Sequence, residues 1–235
     1  AYEGVSVLSG VTVSLKGYAR IGVVGTSGSG KSTLLRLLAG LEDPAAGAFV
    51  LDGRDTLTTL RYESWEEQVA YIPQDPTIFH ASLRENLTFY NPQASDEHLH
   101  AVIEKLGLSE LLVQLPQGLD TLIGEGARGL SGGQAQRIAL ARVVLDERKR
   151  IILFDEPTAH LDIETEMELK QAMVEVMQER LVVFATHRLH WLDTLDYLLV
   201  LEEGKLVEQG TTTQLLESTT HFATLVRALC GGEAA

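Results

Sequence analysis

The sequence predicts an α/β protein: a mostly parallel sheet covered by helices, antiparallel strands near the N-terminus, and a mainly helical insertion. Three observations carry this. Short apolar runs closed by turns recur along the chain, amphipathic stretches of helical period lie between them, and from about Asp75 to Lys149 the strand-like runs thin out while the helical ones continue. Strands that alternate with helices are joined by crossovers, and crossovers lay helices on the faces of a parallel sheet.

Each element has its own signal. The N-terminal VSVLSGVTVSL alternates and predicts antiparallel strands beside the core. ARIGVVG (Ala19–Gly25) reads as a buried strand, and STLLRLLAG as a helix that stops at glycine. GAFVLDG (Gly47–Gly53) reads as a strand ending in an Asp-Gly turn. SDEHLHAVIEKLGL has Ser95 as N-cap, acids in its first turn and Gly107 at its end, the punctuation of a helix. RIILFDE (Arg150–Glu156) and LVVFATH (Leu181–His187) are buried strands with polar residues at their C-terminal ends, and between them IETEMELKQAMVEVMQER is a charged amphipathic helix. YLLVLEEGKLVEQG (Tyr197–Gly210) is a hairpin turning at Glu203-Gly204.

With 235 residues, 45% of them hydrophobic, the chain can bury a sizeable core as one domain carrying an insertion. We divide residues 1–235 into an α/β core, 1–75 and 150–235, and a helical subdomain, 76–149. A single cysteine, Cys230, cannot form an internal disulfide, which fits a reducing compartment. No apolar run reaches the roughly 18–20 residues of a membrane span. The net charge of −14 disfavours a nucleic-acid surface, so no nucleic-acid partner is expected, though a local anion site remains open.

That anion site is written between the first strand and its helix. Gly25, Thr26, Ser27, Gly28, Ser29, Gly30, Lys31, Ser32 and Thr33 fit G-x-x-x-x-G-K-[ST], the phosphate-binding loop of P-loop NTPases. Glycines let successive N–H groups curl around one anion, and the helix that follows adds the positive end of its dipole. Lys31 would reach the β- and γ-phosphates of ATP, and the Ser32 hydroxyl would hold Mg²⁺. Asp155 and Glu156 close a buried strand at the sheet edge where ligands bind. Asp155 suits the Mg²⁺ shell, and Glu156, one residue further out, could polarise a water for in-line attack on the γ-phosphate. His187 ends a neighbouring strand in the same kind of position, where it could touch the γ-phosphate or the water.

LSGGQAQRIALAR (Leu130–Arg142) resembles the signature of ATP-binding cassette (ABC) ATPases, and the rest of that family's pattern stands in order. GTSGSGKST resembles Walker A, YIPQDP the Q-loop with Gln74, IILFDE Walker B with its catalytic glutamate, AHLD (Ala159–Asp162) the D-loop, and ATHR the H-loop with His187. The resemblance implies an ATPase that works as a head-to-tail dimer, in which ATP at one Walker A is capped by Ser131, Gly132, Gly133 and Gln134 of a second nucleotide-binding domain, with Asp162 nearby. It also implies that Gln74 senses Mg²⁺ or the γ-phosphate, that Tyr2 stacks on adenine, and that the segment after Gln74, with Phe79, meets the coupling helices of a transmembrane domain. His160 departs from the small residue usual in the D-loop.

The segments around Gln74 and the signature resemble the exporter-type branch, in which a membrane domain precedes this one on the same chain. The domain would then work at the cytoplasmic face of the cell membrane. FDEPTAHLDIETE and FATHRLHWLDTLDYLLVLEEGKLVEQGT resemble more narrowly CydD-type subunits, which pair with a CydC-like subunit to export cysteine and glutathione for cytochrome bd assembly. Two alternatives stay open: a nucleotide-gated module that hydrolyses weakly within a heterodimer, and an exporter of lipid, peptide or drug.

Overall fold

The computed structural model describes residues 7–126, 129–216, 222–224 and 226. In chain order the elements are β1 (Arg20–Val24), α1 (Lys31–Leu38), β2 (Phe49–Leu51), β3 (Asp55–Leu57), α2 (Glu63–Glu66), β4 (Val69–Ile72), β5 (Ala81–Ser82), α3 (Leu83–Leu87), α4 (Asp96–Lys105), α5 (Ser109–Gln114), β6 (Leu122–Ile123), α6 (Gly132–Val144), β7 (Ile151–Asp155), α7 (Ile163–Val176), β8 (Leu181–Ala185), β9 (Tyr197–Glu202), β10 (Lys205–Gly210) and α8 (Thr212–Leu216). The chain forms an α/β fold with a mostly parallel sheet, divided into two compact units.

The first unit comprises Ala1–Tyr71, Arg150–Glu156 and Glu179–Ala235. Its sheet runs β10-β9-β1-β8-β7-β4. β1 pairs in parallel with both β8 and β9, and β7 with β8, while β10 returns antiparallel along β9. The central strands are apolar because they are covered on both faces: Val23, Leu153, Phe154, Val183 and Phe184 are almost wholly buried. Each such side chain contributes about 1.5–3 kcal/mol by leaving water. Phe184 packs between Phe154 and Trp191, with ring centroids 5.3 and 4.6 Å away. The order places β1, β8 and β7 side by side, so the loops leaving their C-terminal ends are neighbours.

The β2–β3 hairpin turns through residues 52–54, with positive φ at Asp52 and Gly53 and Arg54 N–H donating to Leu51 O at 3.0 Å. Glu203 and Gly204 make the corresponding turn of β9–β10. The antiparallel strands expected in VSVLSGVTVSL do not form among the described residues: no strand lies between Val7 and Ala19. Leu8, Val11, Val13 and Leu15 instead pack, partly buried, against the sheet's core as an irregular segment. Apolar alternation there buries side chains without making a strand, and Ser9 N–H donates to Gly204 O at 2.8 Å.

The second unit comprises Ile72–Lys149 and Pro157–Gln178 and is mainly helical. Four of its helices, α3, α4, α6 and α7, begin on side-chain caps: Ser82, Ser95, Ser131 and Asp162 each accept from a backbone N–H three residues on. At its centre the buried Arg142 donates to Asn86 O, Asn86 Oδ1 and Thr77 O at 2.7–2.9 Å. The same guanidinium lies over the rings of Phe79 and Phe89. No helix among the described residues is long and apolar enough to cross a membrane.

Candidate nucleotide site

Residues 25–30 link β1 to α1 as a tight loop. Gly25 is there of necessity: a Cβ would lie 2.2 Å from Leu201 O and 2.6 Å from Ser29 Oγ. Gly30, at φ 102°, caps α1 in the left-handed region, and a Cβ there would meet Leu8 Cδ2 at 2.6 Å. The helix therefore opens on a glycine with no side-chain cap, leaving the N–H groups of its first turn to face an anion. Ser29 Oγ is buried with no hydrogen-bond partner among the described residues, an orphan that a polar ligand would satisfy. Ser27 and Gly28 form the exposed tip of the loop.

Lys31 is buried, and its Nζ donates to Gly25 O at 3.0 Å and Thr26 O at 3.1 Å. It also pairs with Glu156 Oε1 at 3.2 Å. The other oxygen of that carboxylate, Oε2, lies 2.9 Å from His187 Nδ1. A carboxylate accepts, so Nδ1 carries the proton. Glu156 has φ 48°, a left-handed conformation that a glutamate takes only at a cost. It follows β7 at once, and its N–H donates to Ala185 O, the last residue of β8. Two residues after Ala185 stands His187, so strand pairing itself sets acid and imidazole together.

Ser32, in the first turn of α1, donates from Oγ to Asp155 Oδ1 at 2.8 Å, and Tyr71, on β4, donates from its hydroxyl to Asp155 Oδ2 at 2.7 Å. Burial, with the bond to Asp155, pushes the Tyr71 phenol well above its ordinary range. The Ser32–Asp155 spacing fits Mg²⁺. Two adjacent oxygens on an octahedral ion with bonds of about 2.0–2.1 Å stand about 2.9 Å apart. No cluster of three or more histidine, cysteine or acidic residues suited to a metal exists among the described residues.

Lys31, Ser32, Asp155, Glu156 and His187 thus converge in the first unit, with Thr26 as a partner of Lys31 and Thr33 within α1. Gln74, Ser131, Gly132, Gly133, Gln134 and Asp162 belong to the second. There Gln74 Nε2 lies 2.8 Å from His160 Nε2, and His160 Nδ1 lies 2.9 Å from Asp75 Oδ1. With Asp75 as acceptor, Nδ1 holds the imidazole proton and Nε2 accepts from the Gln74 amide. Gln136, on α6, donates to Gln74 O at 2.9 Å. Ser131 and Gln134 close a reciprocal capping box at the start of α6. Gly133 admits α7: a Cβ would lie 2.6 Å from Thr165 Cγ2. Asp162 caps α7, accepting from Thr165 N at 2.9 Å. Phe79 stacks on Phe89 and is 39% exposed, so it is neither a core residue nor a free one. Tyr2 lies outside the described residues. Tyr71 and the partners of His160 were missed in the sequence because they meet through separations of more than 80 residues; the tyrosine that opens YIPQDP was the available hint.

A phosphate loop, an acid pair and a histidine at three neighbouring strand ends define a phosphate-loop nucleotide hydrolase. The chain belongs to the ABC transporter family, whose model matches residues 8–159, and it is that family's ATP-binding ATPase domain. It is 47% identical to the "Glutathione/L-cysteine transport system ATP-binding/permease protein CydC" of Bacillus subtilis, over 99% of this chain and 41% of that protein. It is 39% identical to the mitochondrial iron-sulfur clusters transporter ABCB7 of Homo sapiens, over 91% of this chain and 28% of that protein. A bacterial Atm1-family ABC exporter with ATP bound matches at TM-score 0.86 and 32% identity, over all of this chain and 41% of that one. The chain spans about two-fifths or less of the length of these relatives.

Proposed function

We propose that the chain is the ATP-hydrolysing motor of an ABC exporter of small thiols, working at the cytoplasmic face of a membrane beside a transmembrane domain. The observation that supports ATP hydrolysis is the shared carboxylate of Glu156, held by Lys31 on one oxygen and by His187 on the other, beside the Ser32–Asp155 pair.

Lys31 now fills its loop, bonded to two carbonyls and to Glu156. A triphosphate entering the loop offers Lys31 stronger acceptors, and the ammonium transfers to the β- and γ-oxygens. That move frees Glu156 Oε1, while His187 keeps Oε2 and so fixes the carboxylate plane. Oε1 is then placed to take a proton from water attacking the γ-phosphate. Ser32 and Asp155, with Gln74, would hold Mg²⁺, which when bound neutralises charge building on the phosphates. Gly25–Thr33 bind the phosphates, and Ser131–Gln134 of a second nucleotide-binding domain, with Asp162, cap the same nucleotide in a head-to-tail dimer.

The thiol substrate rests on the likeness to CydC, the subunit kind matched at 47% identity, where the sequence alone pointed to CydD. The resemblance read from the sequence pairs CydD-type with CydC-like subunits, and we propose a heterodimeric partner of that kind. Glu156→Gln removes the proton acceptor and keeps the shape. It is expected to bind ATP as wild type does and to lose about 10²–10⁴-fold in turnover, the usual weight of general-base catalysis. Phosphate release and calorimetric titration on the two proteins check this; turnover near wild type would remove Glu156 as the base.

A further inference from the structure

Asp155 is buried, and a carboxylate in such a place has about four lone-pair sites to satisfy. Ser32 reaches only Oδ1. The second oxygen would be left orphaned, or the group would rotate about its Cβ–Cγ bond, were it not for Tyr71. We propose that Tyr71 is a positioning residue for the metal site: its hydroxyl holds Asp155 Oδ2 and so keeps Oδ1 turned toward Ser32, where the cation would be shared.

The geometry has the features this role needs. The 2.7 Å contact is the length of a charge-assisted hydrogen bond. Tyr71 stands on β4, the neighbour of β7 in the sheet, so both partners are fixed by strand backbone and not by a loop. A tyrosine also has an advantage over a basic residue. Arginine or lysine at this place would cancel the carboxylate's charge, whereas a neutral hydroxyl fixes its orientation and leaves the charge for the cation.

The inference rests on Asp155 being a metal ligand, and the test separates the two ideas. Wild type, Tyr71→Phe and Asp155→Asn are titrated calorimetrically with a non-hydrolysable ATP analogue, in EDTA and across a series of Mg²⁺ concentrations. Tyr71→Phe is expected to bind the metal-free analogue as wild type does and to need about 10-fold more Mg²⁺ for half of the metal-dependent gain, the weight of one hydrogen bond to a charged group. Asp155→Asn is expected to lose most of that gain. If Asp155→Asn shifts the Mg²⁺ requirement and Tyr71→Phe does not, Tyr71 only packs, and the proposal is overturned. If neither shifts it, the metal reading of Asp155 goes too. Should Tyr71→Phe not fold, wild-type protein labelled with ¹³Cζ tyrosine gives the same answer. The Tyr71 resonance is expected to move on adding Mg²⁺ to the analogue complex, and a resonance that ignores Mg²⁺ overturns the proposal.

Discussion

Lys31 is a buried cation with three donors and three acceptors, the carbonyls of Gly25 and Thr26 and the carboxylate of Glu156. Nucleotide binding would exchange this set of bonds for another. Lys31→Ala removes the charge-assisted bonds to phosphate, each worth about 1.5–3 kcal/mol, so nucleotide affinity is expected to fall about 10- to 100-fold by calorimetry. Lys31→Arg should not restore it, because a forked guanidinium cannot fold into a pocket shaped for a point charge. Unchanged affinity in the alanine variant would count against the loop's role. At this scale the sequence was informative where chemistry is written into a local pattern: Lys31, Ser32, Asp155, Glu156 and His187 were legible as glycine spacing or as polar ends of apolar runs, and the structure gathers them. It marked His160 as a departure but not its contacts with Gln74 and Asp75, which bring together two loops more than 80 residues apart. Those bonds are exposed, so His160→Ala is expected to change stability by no more than about 0.5 kcal/mol in urea melts, whatever it does to the orientation of Gln74.

Among the elements, the parallel strands hold the site in register, and β1 is pinned at its start. Asp196, just before β9, accepts from Arg20 N at 2.8 Å, Nε at 3.1 Å and Nη2 at 2.6 Å, and its own N–H returns a bond to Arg20 O. The Arg20 bonds hold the Asp196 carboxyl below its ordinary range. A carboxyl depressed in the folded state stabilises above its unfolded value, about 3.9, and that stabilisation is lost as pH falls through the folded value. Both side chains are partly exposed, so solvent screens the pair, and Asp196→Asn is expected to cost about 1 kcal/mol near neutrality. The gap between wild type and variant should close below pH ~4, which denaturation at stepped pH would show; a gap unchanged with pH would mean that the ionised pair contributes nothing. β1, β7 and β8 were readable because burial on both faces writes an unbroken apolar run. β4 was not, since four residues carry too little pattern. The stretch from Val7 misled for the opposite reason: alternation marks a one-sided burial, and here the buried side lies on the sheet without joining it.

On the scale of the whole molecule, charge opposes the proposed assembly. Each copy carries −14, and ATP adds more negative charge, so two copies repel until they touch. What could hold them is local: the amide-lined loop of one copy and the Ser131-capped start of α6 of the other, both suited to the same triphosphate. Such a contact is short-ranged, whereas the repulsion acts over a Debye length, about 30 Å at 0.01 M salt and about 10 Å at 0.1 M. Added salt should therefore remove more repulsion than attraction. Glu156→Gln with ATP is expected to sediment as a dimer more completely at about 0.1 M salt than at about 0.01 M, and as a monomer with ADP at either. A nucleic-acid-binding ATPase would show the reverse dependence on its ligand, with affinity falling as salt rises. A dimer that weakens steadily with salt would place the attraction in charge pairs spread over the interface and not in a nucleotide held between two anion-binding helix ends.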